Sequence, residues 1–253
     1  MNDTEQNTWI YGVVPAGAAL EEIERRDNLP EVWVVEAGDL GAIVGNPPGE
    51  NAKATRDQAL AHARVLEAAI IDAPVVPMRF GIVVPGGDEG VGSDLLDARH
   101  DELTRLLRKF EDRVQMTLKV TYDDDTALRE IVESEPEAVQ LREQARQGSE
   151  LETRNARVRL GELISNALEQ RRERDKIDIF ERLKPVSIAA VDEAIETEFM
   201  ILNAPFLIER DRIEEFEEAV DEVAHQRQDR MHFTLLGPMP AFNFLEVEEP
   251  AWA

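Results

Sequence analysis

The sequence predicts an α+β protein built in two parts, and three observations support this. Short apolar runs such as Trp9–Val14 and Leu40–Val44 are bounded by glycine and proline, which is typical of strands. Stretches with apolar residues at helical spacing separate these runs. From about residue 137 to 182 the chain is dense in Glu, Arg, Gln and Ala, which predicts a long charged helical arm. We therefore expect a first domain over residues 1–125 and a second over 126–253.

The first half reads as strand, helix, two strands, helix, strand, and then a further helix and strand. Thr55 and Gln58 have the three-residue spacing of a capping box, so a helix should begin there. A β-α-β-β-α-β order predicts a ferredoxin-like split βαβ unit, here with an added helix and strand. The predicted strands are 9–14, 32–35, 40–44, 75–84 and 114–122, and helices should begin near residues 16, 55 and 93.

The second half reads as β-β-α-β-β behind the charged arm. Apolar residues of the arm form a narrow stripe, as in a two-helix coil that packs on one side, and Gly148-Ser149 should break or kink it. Between Asp211 and Gln226 an apolar face predicts one more helix. The predicted strands of this half are 186–191, 198–207, 231–236 and 242–247.

Composition limits the possible partners. The 253 residues carry a formal charge of −25, and the acidic residues are spread along the whole chain. A field of that sign repels nucleic acid and anionic membranes, so we expect neither as a partner. The chain has no cysteine, its first eight residues lack the order of a signal peptide, and no apolar run approaches the ~20 residues of a membrane span. These features predict a soluble intracellular protein.

We find no constellation of residues that predicts catalysis, a cofactor or a metal. The four histidines lack the short spacing of metal ligands, and the loop 86–92 is glycine-rich but lacks the lysine of a phosphate-binding loop. Arg79 is the most informative charge, because it stands between apolar residues on a predicted strand. It should pair with a carboxylate of its own domain or contact a partner; the alternative is that it binds an acidic ligand.

Two segments, Val76–Gly81 and Leu236–Phe244, stand out because each sets proline and glycine inside an apolar stretch. A proline cannot donate a backbone hydrogen bond, so such segments belong at strand ends, edges or bulges. They could supply partner contacts or belong to the domain core, and both alternatives stay open. The candidate residues are Pro77, Met78, Arg79, Phe80, Gly81, Gly237, Pro238, Met239, Pro240, Phe242 and Phe244.

The run Val75–Gly81 resembles the GvpL/GvpF family of gas vesicle proteins. Further matches follow in the family's order, from an opening Tyr11–Val14 to a closing Leu236–Pro240. The resemblance spans essentially the whole chain. It implies a modified ferredoxin-like N-terminal domain and a C-terminal α+β domain with coiled-coil helices.

The resemblance also implies a non-enzymatic role in forming gas vesicles, the protein-shelled gas compartments that give cells buoyancy. The implied partners are the small hydrophobic shell protein and other gas vesicle accessory proteins, without a cofactor or small-molecule substrate. The implied location is the cytoplasm and the gas vesicle. A ligand-binding regulatory module, with Arg79 and the 85–92 loop forming a pocket, is the alternative.

Overall fold

A computed structural model describes residues 7–47, 55–147 and 149–246. Within them, mixed helix and antiparallel sheet confirm the predicted α+β class. The strands are β1 (Thr8–Pro15), β2 (Val32–Ala37), β3 (Leu40–Gly45), β4 (Val76–Pro77), β5 (Val83–Val84), β6 (Arg113–Tyr122), β7 (Ala189–Ala190), β8 (Met200–Glu209) and β9 (Met231–Met239). The α-helices are α1 (Glu21–Arg25), α2 (Arg56–Asp72), α3 (Gly87–Gly90), α4 (His100–Lys109), α5 (Asp124–Ser134), α6 (Pro136–Gln147), α7 (Glu150–Leu183) and α8 (Ile213–His225).

The first sheet has the strand order β2-β3-β1-β4, and β5 also pairs with β1. Together with the crossover helices α1 and α2, this is the predicted ferredoxin-like arrangement. Helix α2 packs on one face of the sheet, and the predicted capping box at Thr55 and Gln58 is present at its start. A π-helical segment (Val91–Asp97) and α4 pack on the other face. The added helix predicted to start near Ser93 is thus helical already from Gly87.

The second sheet has the order β7-β8-β6-β9, so β6 lies at its centre. The elements β6, α5–α7, β7, β8, α8 and β9 therefore repeat the β-α-β-β-α-β plan and the strand order of the first unit. The sequence predicts 114–122 as the last strand of the first half, but this segment is the first strand of the second unit. Its apolar face joins Phe206 and Phe216 in one core, which explains the pairing. The chain thus changes sheets before Arg113, earlier than the boundary predicted near residue 125.

The helical arm is an insertion in the first crossover of this second unit. Its main helix, α7, has 34 residues and is about 51 Å long. Helix α6 packs beside α7, with Arg159 paired to Glu137 at 3.0 Å. The predicted break is confirmed, since α6 ends at Gln147 and α7 begins at Glu150, while Gly148 lies outside the described residues.

Side chains from β6 and from the turn between α8 and β9 hold the end of α7 that is nearer to the core. The Tyr122 hydroxyl donates to Asp175 at 2.6 Å, and Arg230 pairs with the same carboxylate at 3.2 Å. Buried Arg227 pairs with Asp178. Burial and the hydrogen bond to Asp175 raise the pKa of Tyr122 above its usual range, so the hydroxyl stays protonated and acts as donor. The base of the arm is therefore fixed to the sheet.

Candidate partner-binding surface

The Pro-Met-Arg-Phe-Gly segment lies on an interrupted edge strand of the first sheet. Strands β4 and β5 both pair with β1, which makes them two halves of one strand. Between them residues 79–81 project from the edge, and Gly81 adopts φ +96° within the turn that leads from Arg79 to Ile82. Glycine adopts this left-handed conformation without the steric cost of a Cβ. The continuous strand predicted for 75–84 is therefore broken by a bulge.

A buried histidine fixes the bulge to the sheet. His62, only 3% exposed, accepts a hydrogen bond at Nδ1 from the Trp9 indole at 3.2 Å. Because the indole can only donate, the ring hydrogen lies on Nε2, which donates to the Met78 carbonyl at 2.9 Å. Phe80 packs edge-on to Trp9, with ring centroids 5.1 Å apart. His62 is thus a hydrogen-bonded core residue.

The bulge presents Arg79 to solvent. Its side chain is 83% exposed, and its guanidinium lies 4.0 Å from Glu246, whose side chain is 91% exposed. An ion pair so exposed contributes little to stability. The expected tie to a carboxylate of the first domain is therefore wrong: the nearest partner is a loose one near the other end of the chain.

The closing segment, Gly237 to Phe244, has a different conformation from the one predicted. Strand β9 ends at Met239, and Phe242–Phe244 form a short 3-10 helix in place of the strand predicted for 242–247; residues beyond 246 lie outside the described part. Asn243 explains the difference, because its backbone N–H donates to the Gln115 side chain at 3.1 Å and turns the chain back over the sheet. Phe244 is buried, whereas Phe242 is half-buried.

Sequence reasoning missed a line of polar side chains that holds this segment down. Gln115 donates to Asn243 at 2.9 Å and to Thr117 at 3.1 Å. Asn243 also donates to Glu193, whose other oxygen accepts from buried Asn203 at 3.2 Å. The alternation of β6 placed Gln115 and Thr117 on the face away from the apolar core, which was the signal available in the sequence. Only the fold brings Glu193 and Asn243 to that face.

The two segments meet where the sheets adjoin. Met78 and Phe244 belong to one apolar cluster, Arg79 lies beside Glu246, and the Lys109 ammonium donates to the Phe244 carbonyl at 2.8 Å. Both segments also occupy the same place in the repeated plan, the fourth strand of each unit, which is an edge strand. Proline is tolerated at edges because the N–H it lacks would face solvent.

The candidate residues therefore divide into packing residues and exposed ones. The buried members are Pro77, Met78, Pro240 and Phe244; the half-buried members are Phe80, Met239 and Phe242; the exposed members are Arg79, Gly81, Gly237 and Pro238. Of the two alternatives, core and partner contact, the first holds for the buried group.

An open groove lies beside the start of β9, where Met231, His232 and Phe233 line it. Over the described residues no strand pairs with the side of β9 that faces away from β6. Between this edge and α8 is a depression of about 630 Å³, lined by Asp221, Ala224, His225, Gln228, Met231, His232 and Phe233. We call it the β9 groove. A second depression, of about 580 Å³, shares His232 and is lined by Asp123, Asp124 and Asp125.

The described part of the chain contains neither a candidate metal cluster nor a candidate membrane span. In residues 7–47, 55–147 and 149–246 no three or more His, Cys, Asp or Glu side chains are arranged to hold a metal ion. In the same part of the chain no helix is long and apolar enough to cross a membrane.

Comparison with known proteins identifies the family. The family model described as gas vesicle synthesis protein GvpL/GvpF matches residues 7–246. Gas vesicle protein F of Streptomyces sp. strain CB03234 is 29% identical over 243 residues, which is 95% of this chain and 100% of that protein. Gas vesicle protein F of Nostoc sp. strain PCC 7120 is 28% identical, covering 94% of this chain and 98% of its own length.

Solved structures support the fold. The crystal structure of GvpF from Anabaena sp. PCC7120 superposes with a TM-score of 0.78 at 23% identity, over 96% of this chain and 100% of that one. GvpF from Microcystis aeruginosa gives a TM-score of 0.71 at 20% identity, with the same coverage. The family is one of gas vesicle proteins and is not a known enzyme family. Because the family model spans every described residue, the chain belongs to the GvpL/GvpF family of gas vesicle synthesis proteins.

Proposed function

We propose that this protein is a non-enzymatic accessory factor that binds the hydrophobic gas vesicle shell protein during assembly, in the cytoplasm and at the growing vesicle. Other gas vesicle accessory proteins are further proposed partners. The observation that carries the proposal is a strongly acidic body that leaves a strand edge free beside a groove of mixed polar and apolar lining. A free edge can add a strand from a partner, and a highly charged body keeps the complex dispersed.

The alternative, a ligand-sensing module built around Arg79, gains no support from the geometry. A pocket that binds a small anion buries most of the ligand and the side chains that hold it. Arg79 is 83% exposed on a projecting bulge. We propose instead that the exposed members of the two segments, with Arg79 foremost, contribute contacts to protein partners.

The proposal predicts that the shell protein copurifies with this protein when the two are co-expressed. Retention should persist from about 0.1 M to about 1 M salt, because apolar contacts survive when the Debye length falls from roughly 10 to 3 Å. The measurement is the ratio of shell protein to tagged protein after washing at each salt concentration. Arg79→Glu should lower the ratio at low salt, whereas Arg154→Glu, at an exposed site on the arm, should not.

Failure of retention at both salt concentrations would overturn the proposed shell-protein partner. A deletion strain gives an independent test, because cells that lack this protein alone should form few or no vesicles. A normal vesicle yield in that strain would overturn the assembly role.

A further inference from the structure

We propose that the β9 groove binds an extended segment of a second protein, one that combines apolar with basic side chains, by adding it as a strand to β9. The inference rests on the proposed function for the identity of the protein that carries the segment. The surface and the chemistry it recognises are argued from the geometry of this chain.

The edge itself is suited to strand addition. In an antiparallel strand, alternate residues direct their N–H and C=O groups to opposite sides, so half of those in β9 face away from β6. The first six residues of β9, Met231 to Leu236, contain no proline, and Leu236 is 43% exposed. The corresponding edge of the first unit is interrupted by Pro77 and the bulge after Met78. Of these two edges, β9 is the one with six residues free of proline and bulge, and helix α2 of the first unit also contacts β9.

The groove beside the edge would hold side chains of an added strand. Its lining includes half-buried Phe233 from β9 and half-buried Ala224 from α8, which offer apolar surface, above the buried side chain of Met231. A partner strand lying along β9 would direct every second side chain into this space. Strand addition beside a helix takes its affinity from backbone hydrogen bonds and its specificity from such pockets.

The groove is lined by one carboxylate, Asp221, and two histidines, His225 and His232, and the surface around it is strongly acidic, which favours a basic partner. Helix α8 carries six carboxylates and neither lysine nor arginine, and one of these carboxylates, Asp221, lines the groove. At the other end, beyond the shared His232, lie Asp123, Asp124 and Asp125. A hydrogen bond from Thr126 lowers the pKa of Asp123, which keeps this carboxylate charged. Complementary charge both steers a partner and excludes wrong ones.

The same charges argue against a second copy of this chain as the occupant. Pairing β9 with its own copy would bring two α8 helices, each with six carboxylates, into one interface within a dimer of net charge about −50, twice the −25 of one chain. Like charges placed opposite one another across a strand pair or an interface are destabilising. A basic segment from another protein would pair with the free backbone groups of β9 and would also be attracted by the surrounding carboxylates.

The test uses fluorescein-labelled Val-Lys-Val-Lys-Val-Lys, blocked at both ends, with Val-Glu-Val-Glu-Val-Glu as its acidic counterpart. Binding to the full chain is followed by fluorescence anisotropy. We expect the basic probe to bind at least about tenfold more tightly than the acidic one. Asp221→Lys should weaken the basic probe by about tenfold, and Glu222→Lys, the same charge change at a neighbour outside the groove lining, by less than about threefold.

N-methylated probes distinguish strand addition from simple charge attraction. Only alternate N–H groups of an added strand face β9, so methylation of one alternate set should abolish binding while methylation of the other is tolerated. Equal effects of the two sets, equal binding of the acidic probe, or equal losses in Asp221→Lys and Glu222→Lys would each overturn the inference. Circular dichroism of both variants confirms that they fold.

The two proposals fail in different ways. If the shell protein copurifies equally with the original protein and with Asp221→Lys, the groove is not its binding site; the shell protein as occupant of the groove is then overturned, while the proposed function stands. If the probes behave as expected but the shell protein is not retained, the groove binds another basic partner and the proposed function falls.

Discussion

Gly237→Ala is expected to lower the free energy of unfolding by about 3 kcal/mol. Gly237 has φ +133°, a conformation that side chains other than glycine rarely adopt. A Cβ at this position would lie 2.7 Å from the Met116 sulfur and 2.8 Å from the Gln115 carbonyl oxygen. Because β6 is the central strand of its sheet, the backbone there cannot move aside without breaking pairs on both sides. Urea unfolding followed by circular dichroism measures the change.

Gly161→Ala is the matched control. Gly161 lies within α7, and a Cβ added there would meet no atom within 4 Å. The same substitution should therefore stabilise the protein by up to about 1 kcal/mol, through the higher helix propensity of alanine. Equal effects of the two substitutions would contradict the close approach of β9 to β6 at Gly237.

His62→Ala is expected to lower the free energy of unfolding by about 3 kcal/mol. The substitution removes a buried ring that stacks on Tyr11 at 5.0 Å between centroids. It also leaves the Trp9 indole N–H and the Met78 carbonyl without the partners they have in the folded protein. Chemical unfolding measures the loss, and tryptophan fluorescence should change because Trp9 loses its neighbour. A loss below about 1 kcal/mol would contradict the role of His62 in fixing the bulge.

The pH dependence of stability gives a second readout of the same site. Burial lowers the pKa of His62, while its hydrogen bond to the Met78 carbonyl opposes part of that shift. A protonated ring would direct its Nδ1 hydrogen at the indole hydrogen of Trp9. The unfolded chain therefore binds a proton more readily, and the stability that neutral His62 contributes is present above the unfolded pKa of about 6.5 and is lost as pH falls through the lower folded pKa.

Comparing the pH dependence of stability between the original protein and His62→Gln isolates the contribution of His62. His100, whose pKa is raised by hydrogen bonds to Asp39 and Asp101, acts in the opposite direction, since its stabilisation is lost as pH rises. His100 is unchanged in the variant, so its contribution cancels in the difference between the two proteins. The original protein should lose more stability than His62→Gln as pH falls below about 6.5. Parallel profiles would show that His62 does not titrate as a buried neutral ring.

Local patterns predicted most of the elements but not how they combine. The capping box at Thr55 and the alternation along β6 are properties of neighbouring residues, and both are confirmed. The same alternation does not say which sheet β6 joins, because its apolar face would fit under either set of helices. Three helices, α5, α6 and α7, with 11, 12 and 34 residues, separate β6 from β7, so the sequence pattern does not show that β6 opens a second β-α-β-β-α-β unit.

The candidate segments show the same limit. Proline in Val76–Gly81 and Leu236–Pro240 indicated strand edges, and both segments do lie on edge strands. The sequence could not show that the segments meet, since the nearness of Arg79 to Glu246 and the shared apolar cluster of Met78 and Phe244 are contacts over more than 160 residues. The β9 groove was likewise invisible, because it needs a helix and a strand placed side by side.

By itself the sequence determined the α+β class, the acidic surface, the helical arm and the likeness to the GvpL/GvpF family, all of which depend on composition or on residues close together in the chain. Only the tertiary structure decided that β6 begins the second unit, that Arg79 faces solvent and that β9 keeps a free edge. Each of these depends on which distant segments bury their apolar faces together, and many pairings of the same local patterns are compatible with one sequence until the whole core is packed.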